Sequence, residues 1–220
     1  MTIGRLGADG VPGAGATRPG MASQTRRLFI AVPLPPEVQG RVGSVIDRVR
    51  GRADDEPDQR GGSAPRWIRP GSLHLTLRFL GDTPEDRVAD LRAVLATAAA
   101  SATPFDVALA GSGAFPDQAS PRAIWLGIGR GRDELARLAA SLDAALAHRG
   151  WPSDGRAFRA HLTIARAVDP ARGAAAARAL GIEAQELDAA WRVESVVLFE
   201  SLLGRGPARY MVLAEAMLGR

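Results

Sequence analysis

The sequence predicts an α+β protein folded as two related lobes that face a central cleft. Three observations predict it. Strand-like stretches alternate with helical ones along most of the chain. The order strand, helix, then a strand opening with His-Leu-Thr runs from Leu28 to Phe79 and again from Ala123 to Ile164. With 220 residues, the chain is long enough for one sizeable domain or two small lobes sharing a core. A duplicated chain that sets its halves face to face brings the equivalent strands together.

The elements follow in order. Residues from Met1 to about Thr25 are rich in Gly, Ala and Pro, show no hydrophobic period, and are expected to form a disordered extension (1–25) before a folded domain (26–220). Folded structure is expected from Arg27, with LFIAV (Leu28–Val32) as a buried strand stopped by Pro33 and Pro35. Val38, Val42, Val45 and Val49 recur at helical spacing between Pro36 and Arg50. A polar loop then covers Gly51–Gly62, and Trp67-Ile68 reads as a short strand. LHLTLRFL (Leu73–Leu80) alternates strictly, which places His74, Thr76 and Arg78 on one face and Leu75, Leu77 and Phe79 on the other. Gly81 should end it, and Asp82 or Thr83 should cap a helix with Pro84 in its first turn and Val88, Leu91, Leu95 and Ala98 as its buried stripe.

Phe105–Ala110 and Ala123–Ile128 read as strands around a loop, GSGAFPDQASPR. Asp133 opens a helix with the stripe Leu135, Leu138, Leu142 and Leu146, closed by Gly150. The second motif strand lies within Phe158–Val168, and an Ala-rich helix follows near Pro170–Leu180. Arg192–Ser201 and Arg209–Glu215 read as two final strands joined by a hairpin-like turn.

The bulk numbers narrow the function. A hydrophobic fraction of 46% is ordinary for a globular protein, and no apolar run approaches the ~18 residues of a membrane span. The first stretch lacks the apolar core of a signal peptide. The absence of cysteine excludes disulfides and thiolate zinc sites, and fits a cytoplasmic protein. Every basic residue is arginine apart from the three histidines, and genomic base composition accounts for most of that. A net charge of +4 suits an anionic substrate and is too small for strong non-specific nucleic-acid binding.

Two of the three histidines open the same tripeptide, in HLTL (His74–Leu77) and HLTI (His161–Ile164). On a strand, residues i and i+2 point the same way, so each stretch offers an imidazole beside a hydroxyl. Two such strands across one cleft supply a base for a nucleophile, an acid for a leaving oxygen, and donors for phosphate oxygens. Phosphodiester chemistry needs that set, and none of it requires a metal or cofactor. A lone His-Leu-Thr is ordinary sheet-edge polarity; two copies are hard to assign to chance. The third histidine, His148, is expected at an exposed helix C-terminus. GIGRGR (Gly127–Arg132) resembles a phosphate-binding glycine loop but has Arg132 where a third glycine belongs, and is assigned to turn chemistry.

The chain resembles the 2H phosphoesterase superfamily and, within it, the RNA 2′,3′-cyclic phosphodiesterases, also called 2′-5′ RNA ligases. RLFIAVPLP (Arg27–Pro35), LHLTLRFLG (Leu73–Gly81), GAFPDQASPRAIWLGI (Gly113–Ile128) and FRAHLTIAR (Phe158–Arg166) carry the likeness. Ala160 departs from the family's usual proline before the second histidine. The resemblance implies a LigT-like fold of mostly antiparallel sheets with helices packed outside. It implies opening of a 2′,3′-cyclic phosphate at an RNA 3′ end, tRNA fragments included, to a 2′-phosphomonoester, with 2′-5′ joining in reverse. It implies His74 as proton donor, His161 as proton acceptor, and Thr76 and Thr163 on the phosphate. Arg166 falls at the family's usual arginine position, though ideal alternation turns it away from His161. Arg78 and Arg166 are candidates for further substrate contacts, and a solvated surface position fits each as well. Phe29 and Trp125 are candidates for base stacking, with core packing the competing role. A monomer without membrane attachment is expected. A small cyclic nucleotide as substrate, or RNA-end binding without turnover, are the alternatives.

Overall fold

The computed structural model describes residues 24–54, 62–202, 204 and 208–219. The chain runs β1 (Thr25–Pro33), α1 (Pro36–Asp54), β2 (Arg66–Trp67), β3 (His74–Pro84), α2 (Val88–Ala100), β4 (Phe105–Phe115), β5 (Ala123–Ile128), α3 (Arg132–Ala147), β6 (His161–Arg166), α4 (Pro170–Glu183), β7 (Ala190–Val193), β8 (Ser195–Leu202) and β9 (Arg209–Met217). Every strand pair is antiparallel. The first sheet has the order β3-β1-β8-β9 and the second β2-β6-β5-β4-β7. The sheets match strand for strand from the motif strand outward, with β2 as an extra edge on the second. β3 and β6 adjoin where the lobes meet, so the duplicated order does bring the two His-Leu-Thr strands together.

The lobes are not the two halves of the sequence. Helix α1 leaves β1 of the first sheet and packs along α4, which covers β4 and β5 of the second. Helix α3 leaves β5 and packs on α2 and β3 of the first. Each half therefore lends its first helix to the opposite lobe. Arg48 and Arg52 of α1 both bond the buried carboxylate of Glu183 on α4, which holds that acid below the usual carboxylate range. Among the described residues no helix is long and apolar enough to cross a membrane.

Several boundaries differ from expectation, each for a local reason. β1 starts at Thr25, and the rest of the expected extension, apart from Gln24, lies outside the described residues. Helix α1 continues through Gly51–Asp54 because Ala53 still reaches the core, so the near part of the expected polar loop is helical, and residues 55–61 lie outside the described residues. Gly81 does not end β3. It takes φ 69°, a bulge forms at Leu80, and pairing with β1 resumes as far as Pro84. Asp82 and Thr83 are therefore strand residues rather than helix caps, and a short 3-10 turn (Glu85–Arg87) leads into α2. In the same way Gly111, at φ 71°, carries β4 across a bulge to Phe115, which shortens the expected loop to residues 116–122. The expected strand Arg192–Ser201 breaks at Glu194: β7 joins the second sheet and β8 the first.

The glycine turn at Gly127–Arg132 spends its backbone on the sheet. The Gly129 N–H donates to the Ala108 carbonyl at 2.9 Å and the Ala108 N–H to the Arg130 carbonyl at 3.1 Å. Those groups serve the β5–α3 turn rather than a phosphate. His148 is exposed at the end of α3, with its backbone N–H bonded to the Ala144 carbonyl, as expected.

Candidate active site

Both motif strands break their alternation at the same place. In β3, Ala31 pairs with Thr76 and Ile30 with Arg78, so Leu77 is an extra residue. In β6, Trp125 pairs with Thr163 and Ile124 with Ala165, so Ile164 is extra. The bulge falls on the fourth residue of the motif in each strand, and side chains beyond it exchange faces.

This corrects two expectations. Arg78 lies opposite Ile30, on the core side, while Phe79 lies opposite Phe29 on the side of His74. Arg78 is only 6% exposed, sits 3.1 Å from the Asp143 carboxylate of α3, and donates to the Pro152 carbonyl. It fastens the motif strand to the segment leading into β6 and only borders the cleft at its α3 end. Arg166 moves the other way. The bulge at Ile164 puts it on the face of His161 and Thr163, the shift that ideal alternation lacks.

Between the sheets lies a cleft of about 1280 Å³. His74, Thr76, His161, Thr163 and Arg166 all line it. Each histidine is held identically. Nδ1 of His74 is 2.8 Å from the Ser72 carbonyl, and Nδ1 of His161 is 2.6 Å from the Arg159 carbonyl, two residues upstream in both cases. A carbonyl only accepts, so Nδ1 carries the proton and Nε2 is left for the cleft. Burial pushes both imidazoles below their ordinary pKa. The carbonyl bonds oppose that, while Arg166 reinforces it at both rings and Arg159 at His161. Neither threonine hydroxyl bonds a side chain or carbonyl among the described residues, so both are available to a ligand.

Aromatic rings support the histidines. The His74 ring lies 4.8 Å from Phe29 and edge-on to Tyr210 at 5.1 Å. His161 lies edge-on to Phe115 at 5.0 Å and to Trp125 at 6.1 Å. Phe29 borders the cleft but is 3% exposed, and Trp125 is absent from the lining. Both brace a histidine rather than offer a face to a base. Trp125 is seated by Gly113, where a Cβ would come within 2.3 Å of the indole.

The wall holds residues that sequence reasoning missed. Phe79 and Tyr210 border the cleft, as do Arg27, Arg122, Arg156 and Arg159. None of these arginines, nor Arg166, has a carboxylate within ion-pair distance among the described residues. Tyr210 is 136 residues from His74 in sequence, and no spacing rule joins them; the bulges that turn Phe79 and Arg166 inward leave no mark in composition. Among the described residues no cluster of acids and histidines could hold a metal ion.

An antiparallel α+β fold with two His-x-Thr strands across one cleft is the architecture of the 2H phosphoesterases. The chain belongs to the 2′-5′ RNA ligase superfamily, whose family model matches residues 34–205. It is similar to an RNA 2′,3′-cyclic phosphodiesterase of Thermus thermophilus, 33% identical over 87% of this chain and 90% of that protein. A relative of the same name from Geobacillus stearothermophilus is 36% identical over 63% of this chain; the match spans only 41% of that longer protein. The E. coli LigT structure complexed with NADP+ matches with a TM-score of 0.65 and 27% identity, over 89% of this chain and 99% of that one.

Proposed function

We propose that the protein opens a 2′,3′-cyclic phosphate at an RNA 3′ end by acid–base catalysis between two histidines, without a metal. The observation that carries the reading is the matched pair of imidazoles, each with Nδ1 tied to a carbonyl and a threonine hydroxyl on its face. The names of the relatives support the substrate.

In this scheme His161 takes a proton from water through Nε2 as the water oxygen bonds to phosphorus. The bond from phosphorus to the 3′ oxygen breaks, and His74 gives that oxygen its proton. The products are a 2′-phosphomonoester and a 3′ hydroxyl. Thr76 and Thr163 donate to the non-bridging oxygens, where negative charge gathers. With an RNA 5′ hydroxyl in place of water, His161 takes its proton as the 5′ oxygen bonds to phosphorus. The 3′ oxygen leaves with a proton from His74, and the ends are joined through a 2′-5′ bond. In the reverse cleavage the 3′ oxygen attacks, the 5′ oxygen leaves, and the histidines exchange roles. We also propose that the chain acts in the cytoplasm as a monomer.

The test is product analysis. A short RNA ending in 2′,3′-cyclic phosphate yields the 2′-phosphate, and turnover persists in EDTA. A 3′-phosphate product, strict metal dependence, or RNA binding without turnover overturns the scheme. Faster turnover of free cyclic mononucleotides than of RNA ends moves the substrate to small cyclic nucleotides.

The histidine environments set a pH dependence. A cyclic phosphate keeps its single charge near neutrality, so kcat/KM follows the two imidazoles of the free enzyme. Both are pushed below the ordinary value of about 6.5. The bell therefore peaks below about pH 6.5, between the two pKa values, and falls on the alkaline side as the acid loses its proton. The bound phosphate anion favours the imidazolium, so the alkaline limb of kcat lies at higher pH than that of kcat/KM. A kcat/KM maximum above neutrality contradicts this.

A further inference from the structure

The quasi-symmetric site has unlike ends. The residue that the bulge returns to the cleft is Phe79 in the first motif strand and Arg166 in the second, each five positions after its histidine. Equivalent places thus carry an aromatic face on one side and a guanidinium on the other. A cyclic phosphate on a nucleoside is equally lopsided, with a base on one side and a phosphate chain on the other.

Phe79 is unusual for its surroundings. It is 58% exposed although it borders a cleft, and it ends a row that crosses the first sheet in register, from Phe79 to Phe29 to Phe199 to Val212. Phe29 and Phe199 stack at 5.2 Å and back the row, while Phe79 itself is uncovered. Along β3 it is the next residue on the cleft face after Thr76, a step of roughly 7 Å in a strand. That step is about the distance from the phosphorus of a nucleoside 2′,3′-cyclic phosphate to the centre of its base. The opposite wall holds Arg122, Arg156 and Arg159 beside Arg166, none with a carboxylate partner among the described residues.

Resting on the phosphodiesterase reading, we propose that Phe79 is the stacking platform for the terminal nucleobase, and that the arginines of the second lobe take the phosphate on its 5′ side. The substrate then enters in one orientation, with the base of the cyclic nucleotide over the first sheet. Stacking on a phenyl ring is tolerant of base identity, so the site reads the presence of a base and not its sequence.

The test compares dinucleotides ending in 2′,3′-cyclic phosphate with and without a base on the terminal ribose. Phe79→Ala should lower kcat/KM on the base-bearing substrate roughly 5- to 150-fold, the range of base–aromatic stacking, chiefly through KM. It should leave the abasic substrate nearly unaffected, and Phe79→Trp should restore the loss. Ile182→Ala removes an apolar side chain on α4 that is 54% exposed and outside the cleft lining, and it should change neither substrate. Equal losses on both substrates, or no loss, overturn the platform. A terminal 2-aminopurine gives a second readout that needs no turnover: its fluorescence is quenched on binding to the wild type and less so on binding to Phe79→Ala. Quenching that depends on Phe79 in a protein that opens no cyclic phosphate keeps the platform and discards the reaction. Turnover with quenching indifferent to Phe79 does the reverse.

Discussion

His161→Ala and His74→Ala each lower kcat on an RNA 2′,3′-cyclic phosphate by roughly 10²–10⁴-fold, the contribution of one general acid or base. That is about 3–5 kcal/mol of barrier for each. Both rings act in one displacement, so the double variant should fall well short of the product of the two losses. The roles are separable by leaving group. An aryl phosphodiester departs without protonation, so it should recover much of the rate lost in His74→Ala and none of that lost in His161→Ala. Recovery in the opposite variant would exchange acid and base. Recovery in neither would show that the histidines only bind. Thermal unfolding should be close to wild type in both variants, because each imidazole faces the cleft and its one intramolecular bond goes to a nearby carbonyl.

Gly131→Ala should cost about 2–4 kcal/mol of stability. Gly131 opens α3 at φ 84°, where an L side chain is strained, and a Cβ there would lie 2.5 Å from the Asp106 carbonyl oxygen and 3.1 Å from the Val107 Cα. The atoms in the way are mostly backbone of β4, held between β5 and β7, and they cannot rotate aside. For a chain of this size the loss corresponds to a fall in Tm of roughly 5–15 °C, read by calorimetry or circular dichroism. Gly150→Ala is the comparison. Gly150 also has a positive φ, 79°, but nothing lies within 4 Å of its Cβ position, so only the backbone cost applies, about 1 kcal/mol. Equal losses at the two positions would mean that the packing of the turn against β4 contributes nothing.

The unlike fates of Arg78 and Arg166 show how far local pattern reaches. Strict alternation assigns Arg78 to the face of His74 and turns Arg166 away from His161, and both are reversed by one bulge in each strand. A bulge is a property of pairing. It depends on which partner strand lies alongside and where its residues fall, and nothing in HLTLRF or HLTIAR alone specifies that. Phe79 was hidden by the same shift: in sequence it belongs to the row of leucines that enters the core.

By itself, the sequence determined the strands and helices wherever an apolar period had room to run, the pairing of His with Thr on one face over three residues, and the repetition that makes two such faces. These are short-range consequences of chain geometry and hold whatever the partner. Tertiary structure alone decided what crosses between the lobes. It sent α1 to α4 and α3 to α2, split Arg192–Ser201 between two sheets, and brought Tyr210 against His74. It also pushed both imidazoles toward the neutral form by burying them beside arginines. Burial, field and register are summed over neighbours distant in sequence, and they take their values only once both sheets have closed on the cleft.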